Sequence, residues 1–187
     1  MPKIEVVKQR DLKDCGACCI ESILKYYDGY VPLEKIRDDT VTNSNGTTAY
    51  HIIKALKNYG FDAMGVKVNN ILDQNIYLPA IAHVILKNGL QHFVVIYKIS
   101  SKYVYLMDPA KGKIKMTLKE FQEIWDNILI LITPNSNILK YSKEISIFNL
   151  FGKLLIKNKF LFLKIVLVNI FLMIATIIGS FYFQVGL

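Results

Sequence analysis

The chain has little with which to tie itself together covalently or through a metal. Its 187 residues include three cysteines and three histidines, and no second pair of either stands at ligand spacing to complete a zinc site with Cys15 and Cys18. Charge is missing from one long stretch: no residue from Ile165 to Leu187 is charged, and no acidic residue follows Glu144. A Gly-x-x-x-x-Gly-Lys-Ser/Thr loop is absent, so ATP hydrolysis by this polypeptide is excluded. The first fourteen residues are polar and charged, so no secretory signal is expected. With the N-terminal part in a reducing compartment, the cysteines read as free thiols.

The uncharged stretch would span about 34 Å as a helix at about 1.5 Å per residue, enough for a bilayer core. Lys153, Lys157, Lys159 and Lys164 lead into it, so the side carrying the N-terminal part is expected to be cytoplasmic. The formal charge of +8 divides unevenly: residues 1–134 hold 17 basic against 14 acidic side chains, and residues 135–187 hold six against one. Much of the basic excess lies near the membrane, and nucleic acid is not needed to explain it.

The most informative stretch is QRDLKDCGACC, Gln9 to Cys19. After Asp14, the apolar residues Ala17, Cys18, Ile20, Ile23 and Leu24 recur at helical spacing up to about Tyr27, where Asp28-Gly29 ends the pattern. Cys15 falls in the first turn, where unpaired N–H groups and the positive end of the helix dipole suit a nucleophilic thiolate. Burial as an ordinary core cysteine competes with that reading and fits Cys18 and Cys19 well. A Cys-x-x-Cys redox site also competes, but such a site would follow a buried strand, and residues 9–14 are a polar loop.

A short apolar alternation at Ile4, Val6 and Val7 adds an edge strand or simply packs. Beyond the first helix, Pro32 opens a second one that runs to Arg37 or Asp38, and Thr47 or Thr48 caps a third that ends at Gly60. From Phe61 the period changes to two. Strands are expected at 61–68, 80–86, 92–99, 103–107 and 114–116, with Asn88-Gly89 as a two-residue hairpin turn. A capping box of Thr117 and Glu120 opens a helix that carries Leu118, Phe121, Ile124 and Trp125, and a last strand covers 128–132. Helices followed by an antiparallel meander make an α+β domain.

A cysteine nucleophile needs a base and a group that orients the base. His51 on the third helix and His83 inside a strand read as structural residues. His92 opens a strand directly after a turn, where a scaffold presents polar groups. If strands 92–99 and 103–107 pair across the short 100–102 turn, His92 and Asp108 become neighbours at one rim of the sheet. A plain turn former before proline is the competing reading of Asp108. Gln9 offers an amide N–H to the oxyanion of a tetrahedral intermediate, or is simply polar surface.

QRDLKDCGACC, HFVVI from His92 and the Asp108-Pro109 pair together resemble the cysteine peptidase domain at the N-terminus of peptidase-containing ABC transporters, the bacteriocin-processing exporters of bacteria. The resemblance covers about residues 5–134 and continues into the membrane entry, with NSNGTTAY (Asn43–Tyr50) and Leu78-Pro79-Ala80 also matching. Cys18 departs from it, standing where the family commonly has alanine. The resemblance implies an α+β, papain-like cysteine peptidase domain followed by a juxtamembrane helix and one transmembrane helix. It implies Cys15 as nucleophile, His92 as general base and acid, Asp108 as the orienting residue and Gln9 as oxyanion donor. Its substrates would be precursor peptides, cut after a Gly-Gly pair of their leaders as the cargo is exported. No cofactor is implied for this chain, since ATP would bind only a nucleotide-binding domain that is absent here.

The expected organisation is a peptidase domain over 1–134, a linker with an interfacial amphipathic helix over 135–157, and the first transmembrane helix of a truncated exporter membrane domain over 158–187. The expected partners are the leader-bearing precursor, the membrane, and the remaining transporter domains or a separate transporter chain, as a dimer. The expected location is the bacterial cell membrane, with the peptidase domain on the cytoplasmic side. A leader-docking domain without catalysis and a thiol oxidoreductase using Cys15 and Cys18 stand as alternatives.

Overall fold

The structure, a computed structural model, describes residues 3–44, 46–72, 76–135, 138–140 and 155–185, with side chains of the last helix described to Ser180. It divides into two compact units, Met1–Tyr141 and Ser142–Leu187.

In the first unit a 3-10 turn, Leu12–Asp14, leads into α1 (Cys15–Tyr26), followed by α2 (Leu33–Asp39) and α3 (Ala49–Asn58). Helix α1 is apolar nearly all round, and Ala17, Cys18, Cys19, Ile20, Ile23 and Leu24 are fully buried. It packs against α2, α3 and the sheet. Full burial of each branched side chain contributes about 1.5–3 kcal/mol, so α1 anchors the domain. Thr48 caps α3 by accepting the N–H of His51.

Six strands follow: β1 (Phe61–Lys67), β2 (Ala80–Ile85), β3 (Gln91–Ile99), β4 (Tyr103–Asp108), β5 (Gly112–Thr117) and β6 (Trp125–Pro134), with α4 (Leu118–Ile124) between the last two. They form one antiparallel sheet in the order β1-β6-β2-β3-β4-β5. The meander expected from the sequence is present as β2 to β5, but β6 inserts between β1 and β2. Both faces are covered. Phe93, Val95, Met107, Ile81 and Ile130 pack under the first three helices, and Val94, Ile96, Val104, Leu106 and Leu129 pack with Phe121 and Trp125 on the other side. Burial on both faces explains why β3 reads as a nearly continuous apolar run.

Several expectations change in detail. Ile4 and Val7 are buried without forming a strand, so the N-terminal alternation serves packing. Asn88-Gly89 does not make a two-residue turn: β2 and β3 pair from Ile85 and Gln91, and Leu86 donates to Leu90 at 2.9 Å to close a longer loop. The Thr117–Glu120 capping box forms as read, but Trp125 begins β6 instead of ending α4. Past β6, Asn135 donates to Gly60 at 2.9 Å and Leu139 to Tyr59 at 3.0 Å, so this stretch folds back on its own unit.

In the second unit, α5 (Lys159–Val185) contains an apolar span, Lys159–Ser180, long enough to cross a membrane, with an 18-residue window of mean hydropathy 2.6 that is not buried. The interfacial helix expected over 145–157 lies largely outside the described residues.

Candidate active site

Cys15 is the first residue of α1, and the 3-10 turn before it brings the polar loop to the helix N-terminus. Its side chain is buried. Gly16 is what lets this turn sit where it does. A Cβ there would run into Thr47 Cγ2 and come within 3.0 Å of Ile52 Cδ1, so a side chain at this position would have to push Thr47 and Ile52 aside.

His92 is the second residue of β3 and Asp108 the last of β4. The pairing of these strands across residues 100–102 brings them together, and His92 Nε2 donates to Asp108 Oδ1 at 2.8 Å. The Cys15 thiol is near enough to the same ring to help raise its pKa, and with Nε2 taken by Asp108 the ring nitrogen left for sulfur is Nδ1. Asp108 Oδ1 also accepts the N–H of Ala110 at 2.8 Å. His92 and Asp108 are 5% and 4% exposed, so this contact is shielded from water.

Burial opposes a charge on His92, but the hydrogen bonds to Asp108 and Cys15 and their electrostatic pull outweigh it and raise the pKa to about 9. Burial likewise opposes the Asp108 carboxylate, yet its bonds to His92 and to the N–H groups of Ala110 and Lys111 hold it below the ordinary range. At neutral pH the ring is therefore an imidazolium between a carboxylate and the sulfur.

Gln9 joins this group from the loop before α1. Its backbone N–H donates to the carbonyl of Pro109 at 3.0 Å, and its Oε1 is buried with no partner among the described residues. His92 and Asp108 are thus paired with Cys15 close by, and Gln9 is tied to them through its backbone bond to Pro109, the residue after Asp108. The sequence reading did not find the fifth and sixth members of this neighbourhood. Asp14 is 2% exposed and bound by Arg37 of α2. Asp14 was visible beside the cysteine, whereas Arg37 carries no signal linking it to a residue 23 positions away.

Burial, followed by the charges of Asp14 and Glu21, pushes the Cys18 thiol up to about 12. Cys19 is driven well above its ordinary value, chiefly by burial. A resolving thiol of that kind does not suit disulfide exchange. His83 lies 3.0 Å from Asp126 (Nδ1 to Oδ2) and His51 Nδ1 lies 3.1 Å from Thr48 Oγ1. Among the described residues no group of three or more histidine, cysteine or acidic side chains is placed to hold a metal. A cleft of about 500 Å³ lies between the start of α3 and the sheet, lined by Thr47, Thr48, His51, His83, Gln91 and Phe93 among others; Cys15, His92 and Asp108 do not line it.

Residues 3–137 match the sequence profile of the Peptidase C39 family. The chain is 35% identical over 182 residues to the lactococcin-G-processing and transport ATP-binding protein LagD of Lactococcus lactis subsp. lactis, covering 96% of this chain and 25% of that protein. The crystal structure of a double glycine motif protease from an AMS/PCAT transporter, in complex with the leader peptide, is 33% identical. It has a TM-score of 0.66 and covers 72% of this chain and 94% of that one. The peptidase domain of Streptococcus ComA is 30% identical with a TM-score of 0.67, covering 71% of this chain and all of that domain. The chain spans about a quarter of the length of the curated relatives it matches.

Proposed function

The chain belongs to the Peptidase C39 family, and from that premise we propose that it is a cysteine endopeptidase that cuts precursor peptides after the Gly-Gly pair of their leaders. Cleavage is coupled to export by an ABC transporter. The observation that carries the reading is the buried Cys15–His92–Asp108 network with sulfur at a helix N-terminus. Cys15 Sγ attacks the carbonyl carbon of the second glycine, and the carbonyl oxygen becomes an oxyanion that the Gln9 amide N–H stabilises. His92 passes its Nδ1 proton to the leaving amine as the C–N bond breaks, leaving a thioester. It then takes a proton from water, whose oxygen attacks the thioester and releases the leader carboxylate and the thiol. Asp108 holds the ring in orientation and balances its charge throughout.

A double-glycine preference has a physical basis, since a narrow approach to the sulfur admits residues without side chains and rejects bulkier ones by clash. The reading requires a leader-bearing precursor, a membrane, and transporter domains that supply ATP hydrolysis, assembled as a dimer. It sets the peptidase unit on the cytoplasmic side, a reading supported by the lysines that lead into the uncharged stretch.

The test is a peptide carrying a leader that ends in Gly-Gly plus several further residues, incubated with the full chain in detergent micelles. Cleavage after the second glycine that is lost in Cys15→Ala supports the proposal. Absence of cleavage together with equal binding by both proteins overturns it in favour of a docking domain.

A further inference from the structure

The peptidase reading assigns nothing to the ion pair beside the nucleophile. Asp14 is the N-cap of α1, where a carboxylate ordinarily accepts the first N–H groups of its own helix. It makes no such bond. It faces backward instead: Oδ2 accepts the N–H of Asp11 at 3.0 Å and the N–H of Arg10 at 3.3 Å. Arg37 grips both oxygens, with Nε 2.8 Å from Oδ1 and a terminal nitrogen on Oδ2. All these donors come from the loop or from α2, so the carboxylate staples residues 10–11 to the second helix.

The placement is costly on its own terms. A carboxylate one residue before a thiolate nucleophile opposes its charge, and a buried ion pair contributes little to stability compared with apolar packing of equal volume. Its geometric effect is clearer. The loop it holds has Arg10 at the surface and Leu12 74% exposed, so few packing contacts fix it. Gln9 stands at the head of that loop, tied at its backbone to Pro109 and with its side-chain oxygen buried. An oxyanion donor is effective only if it is in place before charge develops.

We infer that the Asp14–Arg37 pair is a positioning device for Gln9: the two-pronged guanidinium–carboxylate clamp fixes the loop so that the Gln9 amide meets the oxyanion formed at Cys15. The inference rests on the peptidase reading. The clamp depends on fork geometry as well as charge, which separates arginine from lysine at this position.

The experiment uses the full chain in micelles with a Gly-Gly leader peptide, and two readouts. Cleavage needs the oxyanion donor. Alkylation of Cys15 by iodoacetamide, followed against pH with Cys15→Ala as blank, needs the thiolate but not that donor. Gln9→Ala lowers kcat by about a hundredfold. Arg37→Lys, which keeps the charge but loses the fork, lowers kcat by about tenfold, with KM and the alkylation profile within about twofold of the unmodified chain. In the Gln9→Ala background, Arg37→Lys lowers kcat no further, because both substitutions remove the same contribution. Asp14→Asn, which keeps the shape of the carboxylate, serves as a second variant and loses its effect on kcat in the same background.

The inference is overturned if Arg37→Lys cleaves as well as the unmodified chain. It is also overturned if the loss recurs in full in the Gln9→Ala background, or if alkylation falls in proportion to cleavage, which would place the effect on sulfur. An unmodified chain that alkylates normally yet cuts no leader overturns the peptidase reading itself, and the inference with it.

Discussion

The backbone N–H of Gln9 donates to the carbonyl of Pro109 at 3.0 Å, which joins the loop before the nucleophile to the residue that follows Asp108. The two halves of the site come from a helix N-terminus and from the rim of a sheet nearly a hundred positions later. That one bond fixes their separation independently of the contact between Cys15 and His92.

Cleavage has a high-pH limb set by His92. Its folded pKa of about 9 lies above the ordinary 6.5, so the stabilising contribution of the charged ring is fully present below 6.5 and is lost as pH rises through 9. Asp108 is shifted the other way, and its contribution is lost as pH falls below the usual carboxylate range. Thermal melts should therefore peak between these limits, and kcat/KM should fall near pH 9. In Cys15→Ala, which does not cleave, the upper limb of the thermal-melt profile should move to lower pH, because interactions with Cys15 that raise the His92 pKa are gone. An unchanged limb in that variant would show that Asp108 alone sustains the shift.

Asp108→Asn keeps a carbonyl to accept the Ala110 N–H but removes the charge facing the imidazolium. We expect kcat to fall by about a hundredfold, with KM little changed, and the His92 ring resonances to titrate at lower pH. Retention of more than half the activity would deny Asp108 its orienting role.

Cys18→Ser places a hydroxyl where a fully buried thiol packed. The expected cost is about 1–3 kcal/mol in a denaturant melt, with cleavage at moderate temperature unchanged and no new sensitivity to mild oxidant. Loss of turnover proportional to thiol oxidation would favour a Cys15/Cys18 redox couple.

Gly16→Ala gains about 1 kcal/mol of helix propensity but forces a methyl into Thr47 and Ile52, which costs about 1–3 kcal/mol. The net effect should be lower stability and lower kcat, as the first turn of α1 carries Cys15 away from His92. Adding Thr47→Ser removes the obstructing Cγ2 while keeping the hydroxyl that donates to the Thr40 carbonyl at 2.7 Å. It should restore part of both. If the double variant is no better than the single one, the clash is not the cause.

Much of the site was legible because its parts lie at places that local rules mark. Cys15 follows a polar loop at the start of an apolar helix, His92 opens a strand, and Asp108 closes the next strand across a three-residue turn, so their proximity follows from antiparallel pairing alone. Arg37 was not legible, because its link to Asp14 depends on how α2 lies over α1. The two-residue turn at Asn88-Gly89 failed because the pairing of Ile85 with Gln91 already fixed a longer loop, leaving the glycine to serve a local bend at positive φ. The place of β6 was invisible for a related reason: an apolar run states that a strand is buried, not which neighbours it takes.

The insertion of β6 between β1 and β2 has a consequence for how the enzyme comes into being. The hairpins from β2 to β5 bring His92 and Asp108 together from local pairings alone, but β1 and β2 each lack a neighbour until residues 125–134 have been synthesised. The sheet therefore closes only when residues 61–67 pair with 128–134, a non-local contact of the kind that slows folding.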